Sequence, residues 1–198
     1  MTWGPYIDDR VEYYYPWVDF ARRYNPDIRF YMTNLWPRIG DVKRRVDSED
    51  ELTVAAVRTL AAKDIEYFGG IAEALNRKYG QIVHILPTAT AVVMALEAYK
   101  QGDLPGIDGL HKMVSGANAC FWRDGTGHLC EAMEPLIGYV FYAGIYGRNP
   151  ELLRDKAPGK NPELDLMLRR VAWAAVLAEP LSGVTDINGN GISDTLED

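Results

Sequence analysis

Two short β-prone runs bracket one long helical stretch, and that order restricts the fold more than any other feature of the chain. Ile28-Arg29-Phe30-Tyr31-Met32-Thr33 is rich in β-branched and aromatic residues, and Ile82-Val83-His84-Ile85-Leu86 is a short apolar run stopped by Pro87. Between them Val54, Val57, Ala61, Ile65 and Phe68 recur at steps of three and four, the spacing of one buried helix face. Ser48 with Glu51 predicts a capping box before this helix. Gly69-Gly70 predicts a break or kink, after which Ile71, Leu75 and Tyr79 resume the stripe and Gly80 caps it. Strand, helix, strand is a βαβ unit, whose two strands run parallel in one sheet. The expected class is therefore α/β, helix-rich, with a parallel sheet.

The remaining elements are read the same way. Residues 11–24 are aromatic-rich and expected to be helical, with Pro16 in the first turn. Tyr13, Tyr14, Tyr15, Trp17 and Phe20 are expected to form a core face, with an interface as the alternative. A helix is expected over 88–101, ending near Gly102, and another over 132–147. Asn161-Pro162-Glu163 opens a last helix with a cap, a proline and an acid in order, and Leu164, Met167, Leu168, Val171 and Ala175 line its buried side. Residues 103–130 read as an irregular, glycine-rich stretch, and so long a loop within a compact domain is usually functional. Two strands are few for a parallel sheet covered on both faces. Residues 1–5 would add a strand, or strands lie upstream of Met1, or another chain supplies them.

Net charge is −7, which makes nucleic acid and anionic membrane poor partners. No run of 18 apolar residues is present, so no transmembrane helix is expected, and the first residues do not read as a signal peptide. Cys120 and Cys130 either form a disulfide around Asp124 and His128 or remain two buried thiols; they lack the second ligand pair of a zinc site.

The end of the chain has the form of a calcium loop. Asp186, Asn188, Asn190, Asp194 and Glu197 place oxygen-bearing side chains at positions 1, 3, 5, 9 and 12, Ile192 offers its carbonyl at position 7, and Gly191 sits at the sharp turn. A hard cation needs six to eight oxygens, and this spacing wraps them round one point. Ca²⁺ is the expected cofactor. The loop resembles the single EF-hand-like, dockerin-like calcium repeats of secreted bacterial proteins, and loops of this kind suit extracellular calcium levels. An extracellular location is therefore expected.

Three histidines limit the acid–base chemistry. His84 lies mid-strand and is expected to be structural. His128 in Asp124-Gly125-Thr126-Gly127-His128 and His111 in Asp108-Gly109-Leu110-His111 each set a carboxylate near an imidazole. Such an acid fixes the tautomer of the ring so that its other nitrogen can accept a proton.

Residues 120–150, from Cys120-Phe121-Trp122-Arg123-Asp124 through Gly138-Tyr139 to Tyr146-Gly147-Arg148-Asn149-Pro150, resemble the end of an SGNH (GDSL-type) hydrolase. Asn25-Pro26-Asp27, the run at 28–33 and Leu35-Trp36-Pro37 are similar to a middle strand of that fold, so the resemblance spans roughly residues 17–150. It implies a partial three-layer α/β/α sandwich and hydrolysis of esters, often acyl groups on carbohydrate. It also implies His128 as general base and Asp124 as its orienting acid, although the family spaces the pair by three residues and this chain by four. Asp108/His111 has the family spacing and is the alternative pair. The family's Gly-Asp-Ser nucleophile is missing: Gly40-Asp41-Val42 lacks the hydroxyl, and Ser48, Ser115, Ser182 and Ser193 lack its context. Asn34 and Asn118 are the oxyanion-hole guesses.

The expected organisation is an SGNH-hydrolase-like domain over 1–180 and a calcium loop over 181–198. The expected function is an extracellular calcium-binding, hydrolase-like protein, non-catalytic as it stands or part of a carbohydrate or acyl esterase. The alternative is an extracellular structural or assembly protein, such as a homo-oligomer stabilised by calcium.

Overall fold

In the computed structural model, residues 11–40, 43, 45–153 and 161–197 are described. Residues 1–5, and Asp41 and Val42 of the Gly-Asp-Val run, lie outside them. The fold is helix-rich α/β with two small parallel sheets. Strand β1 (Phe30–Thr33) pairs with β2 (Val83–Leu86), Phe30 facing Val83 and Thr33 facing Leu86. A second pair, β3 (Gly109–His111) and β4 (Cys120–Trp122), lies within the stretch expected to be irregular. At three residues each, these strands are too short to show a period.

The helices are α1 (Tyr15–Tyr24), α2 (Val54–Tyr79), α3 (Thr88–Gln101), the single turn α4 (Lys112–Ser115), α5 (Pro135–Tyr146) and α6 (Pro162–Ala178). Helix α2 is continuous through Gly69-Gly70, against expectation. A glycine pair costs a helix about 1 kcal/mol per residue relative to alanine, which the buried stripe Val57, Ala61, Ile71, Ala72 and Leu75 outweighs. Ser48 caps a 3-10 turn (Glu49–Glu51) by accepting from the Asp50 N–H, and the cap of α2 is Thr53, which accepts from the Ala56 N–H. The helix end is tied to the next strand by buried Asn76. Its amide donates to the Val83 carbonyl (2.9 Å), and its Oδ1 accepts from the N–H groups of Val83 (2.8 Å) and Ile82 (3.1 Å).

Side chains on β2 alternate between two covers. Val83 and Ile85 join a cluster with Val18 of α1 and with Tyr67, Ile71 and Leu75 of α2. Leu86 and His84 point the other way. A Cβ on Gly144 of α5 would fall 2.4 Å from Leu86 Cδ2, and one on Gly183 2.4 Å from His84 Nδ1, so α5 and the segment after α6 lie directly on this face. The free edge of β2 is also used: the Ile85 N–H donates to the Leu181 carbonyl (2.9 Å). Among the described residues, helices cover both faces of this sheet, a loop takes one edge of β2, and the second sheet is separate. The main core gathers α3, α5 and α6 around Phe121, Trp122 and Met133. On the α5–α6 contact, Tyr139 donates to Asp165. Arg169 donates to the same carboxylate (2.8 Å) and to the carbonyls of Pro150 and Leu153.

The aromatic segment before β1 divides. Val18, Tyr14 and Tyr15 pack towards α2, with the Tyr15 ring edge-on to Tyr79 and Lys78 Nζ over its face at 3.5 Å. Tyr13, Trp17 and Phe20, expected in the core, are exposed.

Candidate active site and calcium loop

Residues 120–130 form a stapled hairpin. Cys120 and Cys130 are joined by a disulfide, their Cα atoms 5.8 Å apart, which settles the alternatives left by the sequence. Inside it the Cys130 N–H donates to the Phe121 carbonyl (3.0 Å), the Arg123 N–H to the His128 carbonyl (2.7 Å) and the Gly127 N–H to the Asp124 carbonyl (3.0 Å). Phe121 and Trp122 are fully buried and anchor the hairpin in the core. Its tip rests on the segment after β1. The Gly40 N–H donates to the Gly125 carbonyl (2.7 Å), and Gly127, at φ +87°, leaves no room for a Cβ, which would fall 2.3 Å from the Pro37 oxygen.

The tip brings Asp124 and His128 together. His128 Nδ1 lies 2.8 Å from Asp124 Oδ2 and 3.0 Å from Oδ1. The Thr126 hydroxyl donates to Asp124 Oδ1 and lies 2.7 Å from His128 Nδ1, and the Thr126 N–H donates to Oδ1 at 3.0 Å. Burial alone would raise the Asp124 carboxyl, but the Thr126 hydroxyl, the His128 ring and the Thr126 N–H outweigh it and hold it down at about 2. An ionised carboxylate on Nδ1 requires the proton there, so Nε2 carries the lone pair. The ring is half-exposed and lines a cleft of about 220 Å³ with Trp36, Arg123, Leu129, Glu134 and Ile137. The Trp36 ring is centred 5.8 Å from it. Arg123 and Glu134 were not singled out in the sequence; their loop positions carry no periodic signal.

The alternative pair does not form. No hydrogen bond joins His111 to Asp108, whose N–H pairs instead with the Ala119 carbonyl (2.7 Å). His111 is 1% exposed, and its Nδ1 accepts from the Met113 N–H. Burial lowers its pKa, against the opposing pull of the Asp124 carbonyl and charge and of Glu49. Of the two rings, only His128 is hydrogen-bonded to the Asp124 carboxylate; the buried His111 Nε2 has no partner. Glu49 Oε1 accepts the N–H groups of Leu110 and His111 (2.8 and 2.7 Å) and fixes that strand.

The four serines have other work. Ser48 is a cap, Ser115 donates to the His111 carbonyl (2.9 Å), Ser182 is buried against the Val184 backbone, and Ser193 meets Thr195. Asn34 is buried and caps α3, accepting from the Ala89 N–H (3.0 Å), while its carbonyl accepts from Thr88; Asn118 is exposed. His84 is half-buried against Tyr31, and burial followed by the Arg29 charge lowers its pKa, as suits a structural ring.

The C-terminal loop is docked on the turn after α5. Ile192 bridges Arg148, through the Asn149 N–H to the Gly191 carbonyl (2.8 Å) and the Ser193 N–H to the Gly147 carbonyl (2.7 Å). Gly189 and Gly191 take φ of +71° and +81°. Gly191 N–H donates to Asp186 Oδ2 (3.0 Å), Asn188 Oδ1 accepts from Asn190 N–H and Asn190 Oδ1 from Ile192 N–H. Asp194 accepts from the Ile187 N–H (3.2 Å). Glu197 folds back over the loop and accepts from the Asn188 and Asn190 amides at 2.8 and 2.5 Å. Asp186 Oδ1 is buried and has no partner. Among the described residues no three of His, Cys, Asp or Glu surround one point. A cation here would draw on the amide oxygens of Asn188 and Asn190 and the Ile192 carbonyl as well as the three acids. The donor set is all oxygen, as calcium requires, and the buried, unpaired Asp186 oxygen is the atom such an ion would satisfy.

Comparison with family models, with curated proteins and with solved structures finds no match to this chain.

Proposed function

We propose that the chain is an extracellular calcium-binding protein whose tail loop takes one Ca²⁺. The observation that carries this reading is Asp186 Oδ1: a buried carboxylate oxygen without a donor costs several kcal/mol unless a cation or water meets it. It stands at position 1 of a loop already turned by Gly191 and closed by Glu197. A dissociation constant of about 10⁻⁴–10⁻³ M fits an exposed, unpaired loop of this charge. Calorimetric titration of Ca²⁺ into the protein and into Glu197→Gln is the test. Saturable heat from the first and at least tenfold weaker binding by the second are expected; no heat from either sinks the reading.

The second reading is hydrolase-like, in keeping with the SGNH resemblance, and it rests on the Asp124–His128 pair in its cleft. His128 Nε2 is free to take a proton from a water or an incoming hydroxyl, the step that begins ester hydrolysis on an acylated carbohydrate. Among the described residues no serine stands beside it. The Thr126 hydroxyl meets the ring on Nδ1, the acid's side, where Nε2 cannot activate it. The chain then holds the acid–base half of an ester-cleaving pocket and is non-catalytic as it stands. Turnover of p-nitrophenyl acetate should equal that of His128→Ala; a large excess over the variant would make the chain an esterase in its own right.

A further inference from the structure

The outer face of α1 and the turn before it carries four bare aromatic rings in one line. Tyr13, Trp17, Phe20 and Tyr24 are 75%, 73%, 57% and 78% exposed. Their steps of four, three and four keep them on a single helix face about 16 Å long. The opposite face is already spent: Val18, Tyr14 and Tyr15 pack towards α2. A soluble surface rarely leaves so much contiguous apolar area open without a partner.

We propose that this stripe is a two-fold interface on which a second copy of the chain docks with its α1 antiparallel. The pattern is self-complementary about a point between Trp17 and Phe20. Reversing the helix there sets Trp17 opposite Phe20 and Tyr13 opposite Tyr24, so every ring meets a ring. The charges agree with that direction. Exposed Glu12 lies at the N-terminal end and exposed Arg23 in the last turn, both on one flank of the stripe. An antiparallel pair brings like flanks together, so Glu12 of each copy meets Arg23 of the other, twice per dimer. A parallel two-fold pairing would bring unlike flanks together, so that Glu12 of one copy and Arg23 of the other would not meet. The two helix dipoles also oppose in the antiparallel arrangement.

The area is sufficient for a reversible contact. Aromatic side chains bury about 150–250 Å² each, so four rings at these exposures offer roughly 1,000 Å² over both copies. That approaches the ~1,200 Å² at which specific interfaces begin, before the flanking Glu12 and Arg23 add their share. Tyr, Trp and Phe are also the residues enriched at interface centres. The dimer does not involve the tail loop, so it forms with or without calcium and stands apart from the reading above.

Sedimentation equilibrium on the full chain, in calcium and in chelator, tests this. A monomer–dimer equilibrium in the micromolar range is expected under both conditions. Trp17→Ala should weaken it about 30-fold, as an interface-centre aromatic does, with an unchanged circular dichroism spectrum and melting temperature because the ring touches no core. Glu12→Arg and Arg23→Glu should each weaken the dimer, and the double variant should restore it. A monomer up to hundreds of micromolar overturns the proposal, and so does a monomer that instead binds phosphatidylcholine vesicles or cellulose through the stripe. A dimer indifferent to Trp17→Ala, or a double variant weaker than either single, overturns it too.

Discussion

The hairpin at 120–130 and the loop at 186–197 are both turns that hold acids, and they solve the problem of a carboxylate in opposite ways. The hairpin is closed by a covalent bond and two buried aromatics, and its acid has every partner it needs: a hydroxyl, an N–H and an imidazole within the same turn. The tail has little apolar anchorage, with Ile187 90% exposed, and one oxygen of its first acid has no partner. The first turn satisfies its acid from within, whereas the second leaves one carboxylate oxygen unmatched. The difference lies in what is left over: nothing on the hairpin's acid, and one buried oxygen on the first acid of the tail.

The sharpest way to break this contrast is to open the staple. Replacing Cys120 and Cys130 together by alanine should cost about 2–4 kcal/mol in urea unfolding and leave calcium affinity unchanged. A matching loss of calcium binding would mean that the two regions are not independent. Next in size is the ion itself. At about 100 times its dissociation constant, Ca²⁺ should add about 2.7 kcal/mol, read as a rise in melting temperature that Glu197→Gln blunts. An equal rise in the variant would place the ion elsewhere.

Gly127→Ala comes third. A side chain at φ +87° costs about 1–2 kcal/mol, and its Cβ would collide with the Pro37 carbonyl. The hairpin tip should lift from Trp36, seen as a change in tryptophan fluorescence together with the lost stability. The smallest effect expected is the acid limb of stability. Asp124 sits at about 2 when folded, below its ordinary 3.8, so its contribution is fully present above about pH 4 and is lost as the pH falls towards 2. Asp124→Asn should flatten that limb of the unfolding profile; an unaltered slope would show that the carboxylate is not held by its neighbours.

Much of the architecture was legible because long periodic segments report themselves. The βαβ order, the parallel pairing and the helices at 54–79, 88–101 and 162–178 follow from steps of three and four and from short apolar runs. Gly69-Gly70 misled because a glycine pair breaks an isolated helix, not one held along its length by a buried face. Ser48 and Thr53 both have capping chemistry, and only the distance to the first helical turn distinguishes them. Sequence places the exposed rings of the first helix inward because hydrophobicity alone does not say which of two aromatic faces has a neighbour. At the candidate site, spacing offers both Asp124/His128 and Asp108/His111, and only the resemblance at 120–150 favours the pair that the hairpin brings together. The burial of His111 was not legible, since it follows from the β3–β4 pairing, and neither was the cleft wall, which depends on how Trp36 and α5 approach.

The hydrogen bond from Ile85 to Leu181 has a consequence for how the molecule is made. The strand at 83–86 leaves the ribosome long before its edge is sealed, because the residue that seals it is encoded almost half the chain later. Throughout that interval the edge offers an unmatched backbone donor beside an apolar strand, a template on which neighbouring nascent chains can misjoin. Arrival of the segment after α6 is what retires this hazard, so truncations that remove it should aggregate rather than merely unfold.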